Sequence, residues 1–134
     1  MRHLVFALIG FFALATPSIA GEVAVPYDKT KFDALVRSGV PVLLHTHTWW
    51  CPTCRRQASI LDDLFKNPAY DKITTVRADF DKNRNDLSAF KVTTRSVILV
   101  FKGGKEVSRL SWETDQAKIQ TLVESLLKSA SPAG

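Results

Sequence analysis

The spacing of apolar residues switches repeatedly between the period of a helix and that of a buried strand. Helical spacing is found over 28–38, 51–65, 83–90 and 114–128, and strand-like runs cover 40–46, 73–80, 97–101 and 105–110. Gly103-Gly104 predicts a tight turn that joins the last two strands as a hairpin, and 23–26 is expected to form an edge strand. A strand–helix–strand crossover followed by a hairpin predicts an α/β fold, in which helices flank a mixed central β-sheet on both faces.

The first twenty residues have the three parts of a secretory signal. A basic start over 1–3 precedes an apolar stretch over 4–15, and small residues stand at Ser18 and Ala20, the two positions that a signal peptidase reads. The apolar stretch is about 12 residues long, well below the roughly 20 that a membrane-spanning helix needs. We therefore expect a signal peptide, 1–20, that is cleaved after Ala20. The remaining 21–134 would form one exported domain.

The charge of the chain argues against a nucleic-acid partner. Lys and Arg number 18 and Asp and Glu number 13, for a formal net charge of +5, but the bases are interleaved with acids and form no continuous stripe. No segment after the signal is long or apolar enough to cross a bilayer, so stable membrane insertion is not expected. We expect a monomer that needs no cofactor.

The two cysteines of the chain, Cys51 and Cys54, stand where a strand-like run gives way to helical spacing. A helix start favours thiolate over thiol at the first sulfur, and the short spacing lets the second sulfur close a disulfide with it. A structural staple explains the pair less well, because so short a loop gains little from being closed. The pattern predicts thiol–disulfide exchange, with an exposed and easily ionised sulfur at Cys51.

The sequence resembles that of the thioredoxin family from about residue 28 to residue 128. The most specific matches are 50–54 (WCPTC) and 101–106 (FKGGKE), the second of which resembles the strand-and-turn signature of that family. The resemblance implies a thioredoxin-like fold and, with the signal, an exported thiol–disulfide oxidoreductase that acts on protein thiols and disulfides. A membrane or periplasmic redox partner would recharge the pair. Whether the protein reduces or oxidises its substrates depends on the reduction potential, which the sequence leaves open.

The resemblance also implies a role for each residue of the WCPTC motif. Cys51 resembles the nucleophile, and Cys54 resembles the more buried cysteine that resolves the mixed disulfide. Trp50 resembles the aromatic residue that flanks the site, although simple packing explains it equally well. Pro52 and Thr53 stand between the cysteines, where the family tunes the redox poise, and proline suits the first turn of a helix.

Ser96 stands where the family has a cis-proline facing the cysteines. A cis bond is costly before any other residue, so a trans bond is expected there. The loop could still bind an extended substrate backbone, with Arg95 and Ser96 as the substrate-binding residues.

Three polar residues mark a second departure from the family. His45 takes the place of the buried acid beneath the resolving cysteine, and Arg77 matches the neighbouring lysine. His45 is a candidate proton acceptor for Cys54, or else a core histidine bonded to the backbone. His47 replaces a tryptophan and is expected to share a strand face with His45.

Two other functions remain open from the sequence. Cys51, Cys54, His45 and His47 are ligand types of a tetrahedral metal site, so a zinc- or copper-binding module is the alternative to the redox enzyme. The loss of the cis-proline, which is thought to keep metals from the cysteines in this family, makes that alternative more credible. A redox-inactive binding domain on the same fold is the third possibility.

Overall fold

The computed structural model describes residues 24–128, and the predicted signal peptide lies outside them. Within this range the strands are β1 (Val25–Pro26), β2 (Val42–His47), β3 (Thr74–Asp79), β4 (Val97–Lys102) and β5 (Lys105–Ser111). The α-helices are α1 (Lys29–Arg37), α2 (Pro52–Leu64), α3 (Phe80–Ser88) and α4 (Gln116–Ser125), with a short 3₁₀ turn at Pro68–Tyr70. No helix in this part of the chain is long and apolar enough to span a membrane.

The five strands form one mixed sheet in the order β1-β3-β2-β4-β5. β1 and β2 both run parallel to β3, because helical crossovers connect them, while β4 runs antiparallel to β2 and β5 antiparallel to β4. The predicted thioredoxin-like α/β fold is therefore confirmed, including the crossover, the hairpin at Gly103-Gly104 and the edge position of β1. The strands β2 and β4 are neighbours within the sheet. The loop that follows β2 and the loop that precedes β4 carry the candidate site.

Apolar side chains on the two faces of the sheet build two separate core layers. The layer beneath α1 and α3 contains, among others, Phe32, Val42, Leu44, Leu87, Leu99 and Phe101. The layer beneath α2 and α4 contains, among others, Leu43, Ile60, Leu61, Ile98, Val100, Ile119 and Val123. Side chains along β2 and β4 alternate between the two layers because successive residues of a strand point to opposite faces.

Helix α3 begins at Phe80, earlier than the predicted start at 83. The cause is the carboxylate of Asp79, which ends β3 and accepts hydrogen bonds from the backbone N–H groups of Asp81 and Lys82 at 3.0 and 3.1 Å. This cap starts the helix directly at the strand end. The polar run that hid the start from the apolar pattern includes Asn83, where the helix is kinked with φ −105°.

Leu99 provides a test of the core. It is fully buried in the centre of β4, so Leu99→Ala removes apolar burial and leaves a cavity. We expect the free energy of unfolding, measured with urea, to fall by about 3 kcal/mol. Leu127→Ala, at a position that is 40% exposed, is the matched control and should change it by less than about 1 kcal/mol. Equal losses in the two variants would contradict this placement of the core.

Candidate active site

The cysteine pair stands at the N-terminus of α2, just beyond the end of β2. Cys51 is the N-cap residue, and its Sγ accepts a hydrogen bond from the backbone N–H of Cys54 at 3.3 Å. Pro52 occupies the first turn, where a missing N–H is tolerated, and Thr53 follows it. The predicted helix start is thus confirmed, and the unpaired N–H groups and dipole of α2 act on the first sulfur.

Both cysteines are free thiols and both are buried, with Cys51 2% exposed and Cys54 fully enclosed. The expectation of an exposed Cys51 sulfur is therefore wrong. The reason is tertiary: the loop before β4 packs on the pair and brings Ser96 and Arg95 against Cys51. Trp49, which precedes the WCPTC motif, is 77% exposed.

Ser96 lies directly against the two sulfurs. Its Oγ is 3.4 Å from Cys51 Sγ and 2.9 Å from Cys54 Sγ. The bond that precedes it is trans, and its φ of +62° lies in the left-handed region, which is uncommon for a residue with a side chain. The backbone N–H of Ser96 donates to the carbonyl of Thr46 at 2.9 Å, which ties the loop to the end of β2.

The amide side chain of Gln57 holds the Ser96 loop from beneath. Gln57 Nε2 donates to the carbonyl oxygens of Ser96 at 3.2 Å and Glu113 at 2.9 Å, and Trp112 N–H also donates to the Ser96 carbonyl at 2.8 Å. Gln57 is fully buried one turn beyond Cys54. The sequence analysis missed this residue. The sequence feature that could have identified Gln57 is its polar side chain on the apolar face of the helix, four residues before Leu61, since residues four apart share a face.

His45 belongs to the same network but does not contact Cys54. Its Nε2 lies 3.1 Å from Gln57 Oε1; because the Gln57 amide donates elsewhere, His45 Nε2–H is the donor in this pair. Within residues 24–128, Cys54 Sγ is hydrogen-bonded to Ser96 Oγ and not to His45, so the expected proton contact with His45 is not formed. The alternative of a histidine bonded to backbone is not formed either.

Burial keeps the His45 ring neutral. Desolvation, followed by the positive charge of Arg77 and then by His47, lowers the pKa of His45 to about 3. Desolvation, followed by the positive charge of Arg77, also lowers the pKa of His47, which is half-buried. The Arg77 guanidinium forms an ion pair with Asp62 at 3.1 Å. His45 Nδ1 is buried without a hydrogen-bond partner among the described residues.

The metal ligands proposed from the sequence are not assembled. His45 and His47 share a strand face as expected, with ring centroids 5.6 Å apart. Residues 24–128 nevertheless contain no group of three or more His, Cys, Asp or Glu side chains that could hold a metal ion. The alternative set of Cys51, Cys54, His45 and His47 therefore finds no support, because Gln57 engages one imidazole and Ser96 the two sulfurs.

Arg95 is held between two indole rings at the edge of the site. Its guanidinium carbon lies 4.1 Å from the ring centroid of Trp50 and 5.5 Å from that of Trp112. Trp50 Nε1–H donates to Asp81 at 3.3 Å. Trp50 therefore has a specific partner in addition to packing. Nothing in the sequence pattern pointed to Trp112, which lies beyond β5 with φ +57°.

The two sulfurs differ in their tendency to ionise. Burial acts to raise the pKa of Cys51, but hydrogen bonds involving Cys54, Ser96 and Arg95 outweigh it and lower this pKa to about 7. Burial, together with the hydrogen bond to Cys51, raises the pKa of Cys54. Cys51 is therefore the sulfur that ionises near neutral pH, whereas Cys54 holds its proton more tightly.

Comparison with known proteins places this geometry in a class. The family model for thioredoxin matches residues 23–125. A chloroplastic M-type thioredoxin of Chlamydomonas reinhardtii is 30% identical over 120 residues, which cover 87% of this chain and 85% of that protein. The crystal structure of Trxlp from Edwardsiella tarda EIB202 superposes with a TM-score of 0.71 at 31% identity, over 75% of this chain and 97% of that one. A thioredoxin of Plasmodium falciparum, 20% identical over 76% of this chain and 98% of that one, shares the fold with a TM-score of 0.67.

The chain belongs to the thioredoxin family. Its two cysteines have the spacing of a redox pair, and like other thioredoxins it is a thiol–disulfide oxidoreductase that acts on protein thiols and disulfides.

The neutral His45 predicts a specific loss of stability in acid. The unfolded chain binds a proton at His45 below about pH 6.5 and the folded chain only near pH 3, so stability is lost as the pH falls through this window. We expect the unfolding free energy to fall by up to about 1.4 kcal/mol per pH unit from this group. Urea titrations of wild-type protein and His45→Gln, which keeps an N–H donor, should diverge between these limits. Parallel pH profiles would contradict a buried neutral imidazole.

Proposed function

We propose that Cys51 is the attacking sulfur of this oxidoreductase and that Cys54 resolves the intermediate. The observation that carries the proposal is the place of Cys51 at the N-cap of α2, where its Sγ accepts a hydrogen bond from the Cys54 N–H at 3.3 Å. The two pKa values agree with this position, since that of Cys51 is lowered to about 7 and that of Cys54 is raised. A thiolate attacks disulfides, whereas a neutral thiol does not. Cys51 is therefore ready to react near neutral pH, and Cys54 waits until the first step is complete.

The exchange proceeds in two balanced steps. Cys51 thiolate attacks one sulfur of a substrate disulfide, a mixed disulfide forms, and the other substrate sulfur leaves as a thiolate. Cys54 then passes its proton to the substrate thiolate released in the first step and attacks Cys51 Sγ, so that the Cys51–Cys54 disulfide forms and the second substrate sulfur leaves with the electron pair. Two electrons have passed from the pair to the substrate, and the reverse sequence oxidises a substrate dithiol.

Access to the buried Cys51 sulfur requires the side chain of Arg95 to move. The Arg95 side chain lies over the Trp50 ring and is close enough to Cys51 to lower its pKa, and the Trp50 side chain is 45% exposed. We propose that an incoming protein segment displaces the guanidinium and packs on the exposed surface of Trp49, Trp50 and Trp112. The substrate backbone then pairs with the loop at Arg95, because both backbone groups of Ser96 are already hydrogen-bonded within the protein.

Trapping tests these roles. Cys54→Ser removes the resolving sulfur, so a mixed disulfide formed at Cys51 should persist. We expect Cys54→Ser protein to form an adduct with a model peptide that contains a disulfide. The adduct should be visible on a non-reducing gel and should be reversed by dithiothreitol. Cys51→Ser is the matched control and should form at least tenfold less adduct at pH 7, because the pKa of Cys54 is raised.

An adduct that forms equally through Cys54 would overturn the assignment of the two sulfurs. Absence of any adduct, together with no reduction or oxidation of the peptide by the wild-type protein, would favour the redox-inactive binding domain instead.

We also propose that the protein is exported and acts in the periplasm with a membrane or periplasmic redox partner. The proposal is supported by the basic start, the apolar stretch and the small residues of 1–20. It also suits a chain whose only cysteines form the redox pair, since a periplasmic setting allows that pair to be oxidised and recharged.

The export proposal predicts a defined mature N-terminus. In a Gram-negative host we expect the protein in the periplasmic fraction, with Gly21 as its first residue by N-terminal sequencing or intact mass. Leu8→Arg places a charge in the apolar stretch and should leave full-length precursor inside the cell. Full-length wild-type protein in the cytosolic fraction would contradict the proposal.

A further inference from the structure

The position of the Ser96 hydroxyl between the two sulfurs goes beyond what a loop residue needs for packing. We propose that Ser96 is a catalytic residue, whose hydroxyl donates its hydrogen bond first to the Cys51 thiolate and then to the Cys54 thiolate. This inference rests on the proposed roles of the two cysteines. The geometry that carries it is a single oxygen 3.4 Å from one sulfur and 2.9 Å from the other, in a site closed to solvent.

A hydroxyl group has one hydrogen to donate and two lone pairs that accept. When Cys51 is the thiolate, Ser96 O–H donates to Cys51 Sγ, and the single hydrogen of the Cys54 thiol is shared between Ser96 Oγ and Cys51 Sγ. The chain of Cys54 S–H, Ser96 O–H and Cys51 thiolate therefore satisfies all three groups in the buried site.

The same hydroxyl is released when Cys51 enters the mixed disulfide. The Cys51 sulfur is then neutral and has no further need of a donor. Rotation about the Ser96 C–O bond turns the hydrogen toward Cys54, whose own proton passes to the substrate thiolate released in the first step. Cys54 thiolate attacks Cys51 Sγ, the Cys51–Cys54 bond forms and the substrate sulfur leaves with the electron pair, so Ser96 gains and loses no proton.

The backbone of the loop is built to hold Ser96 in this place. A φ of +62° is unfavourable for serine, but Thr46, Gln57 and Trp112 fix both of its backbone groups. Proline is incompatible with this conformation, because its φ is fixed near −65° and it has no N–H for the Thr46 carbonyl. The hydroxyl is therefore a feature of this loop that a proline at position 96 cannot supply.

The donor also shifts the redox equilibrium. It stabilises a thiolate, which only the reduced pair contains, and has no charged partner in the disulfide form. The Ser96 hydroxyl therefore makes the pair a stronger oxidant than it would be without it.

Ser96→Ala and Ser96→Gly test the inference as a matched pair. Both remove the hydroxyl, but only glycine adopts a positive φ without strain, so the two variants should differ in stability. In both we expect the pKa of Cys51, followed by thiolate absorbance, to rise from about 7 toward its ordinary value. We also expect the equilibrium with glutathione to shift about tenfold toward the protein disulfide, and the mixed disulfide to resolve about tenfold more slowly.

Two results would overturn the inference. One is a Cys51 pKa and a glutathione equilibrium within twofold of wild type in both variants. The other is a difference between Ser96→Ala and Ser96→Gly in the Cys51 pKa and the glutathione equilibrium that follows their difference in stability. Backbone strain, and not the loss of the hydroxyl, would then be the cause. Ser108→Ala, on the exposed face of β5, is the control and should match wild type. If Ser96→Ala leaves the Cys51 pKa and the glutathione equilibrium unchanged while Cys54→Ser still forms its adduct, the Ser96 inference fails and the roles of the cysteines stand.

Discussion

The side-chain amide of Gln57 is the contact on which the geometry of the site depends. It joins α2, the loop before β4 and the segment after β5, because its Nε2 donates to the carbonyls of Ser96 and Glu113 while its Oε1 accepts from His45. A buried amide must satisfy its donors and acceptor or lose the free energy of desolvation, so these partners fix one another. The left-handed conformation of Ser96, and with it the contact of Ser96 with both sulfurs, follows from this network.

Chemistry at the pair results from two opposing effects of the same burial. Exclusion of water raises the pKa of both thiols, but it also strengthens every hydrogen bond that reaches Cys51. Cys51 receives the helix N-terminus, Ser96 and Arg95, whereas Cys54 lies deeper and receives fewer donors. The asymmetry that the exchange reaction requires is therefore a difference in hydrogen bonding between two sulfurs that are both buried.

Replacement of the family's buried acid by His45 changes what can respond to pH. An imidazole that is desolvated and close to Arg77 stays neutral down to about pH 3, so no buried charge lies beneath the resolving cysteine near neutral pH. His45 thus serves as a donor to Gln57 rather than as a base for Cys54. Ser96 takes over the contact with Cys54, and the metal site that the same residues suggested is not formed.

The sequence by itself determined the fold and the redox pair, because both depend on local signals. Apolar periodicity set the elements from α1 to α4, and the position of Cys51 and Pro52 at a helix start needs only the neighbouring chain. The burial of Cys51, the roles of Gln57 and Trp112 and the partner of His45 were decided by tertiary structure. Each is a contact between segments 12 to 56 residues apart, and the spacing of one segment carries no information about which polar atom of another will face it.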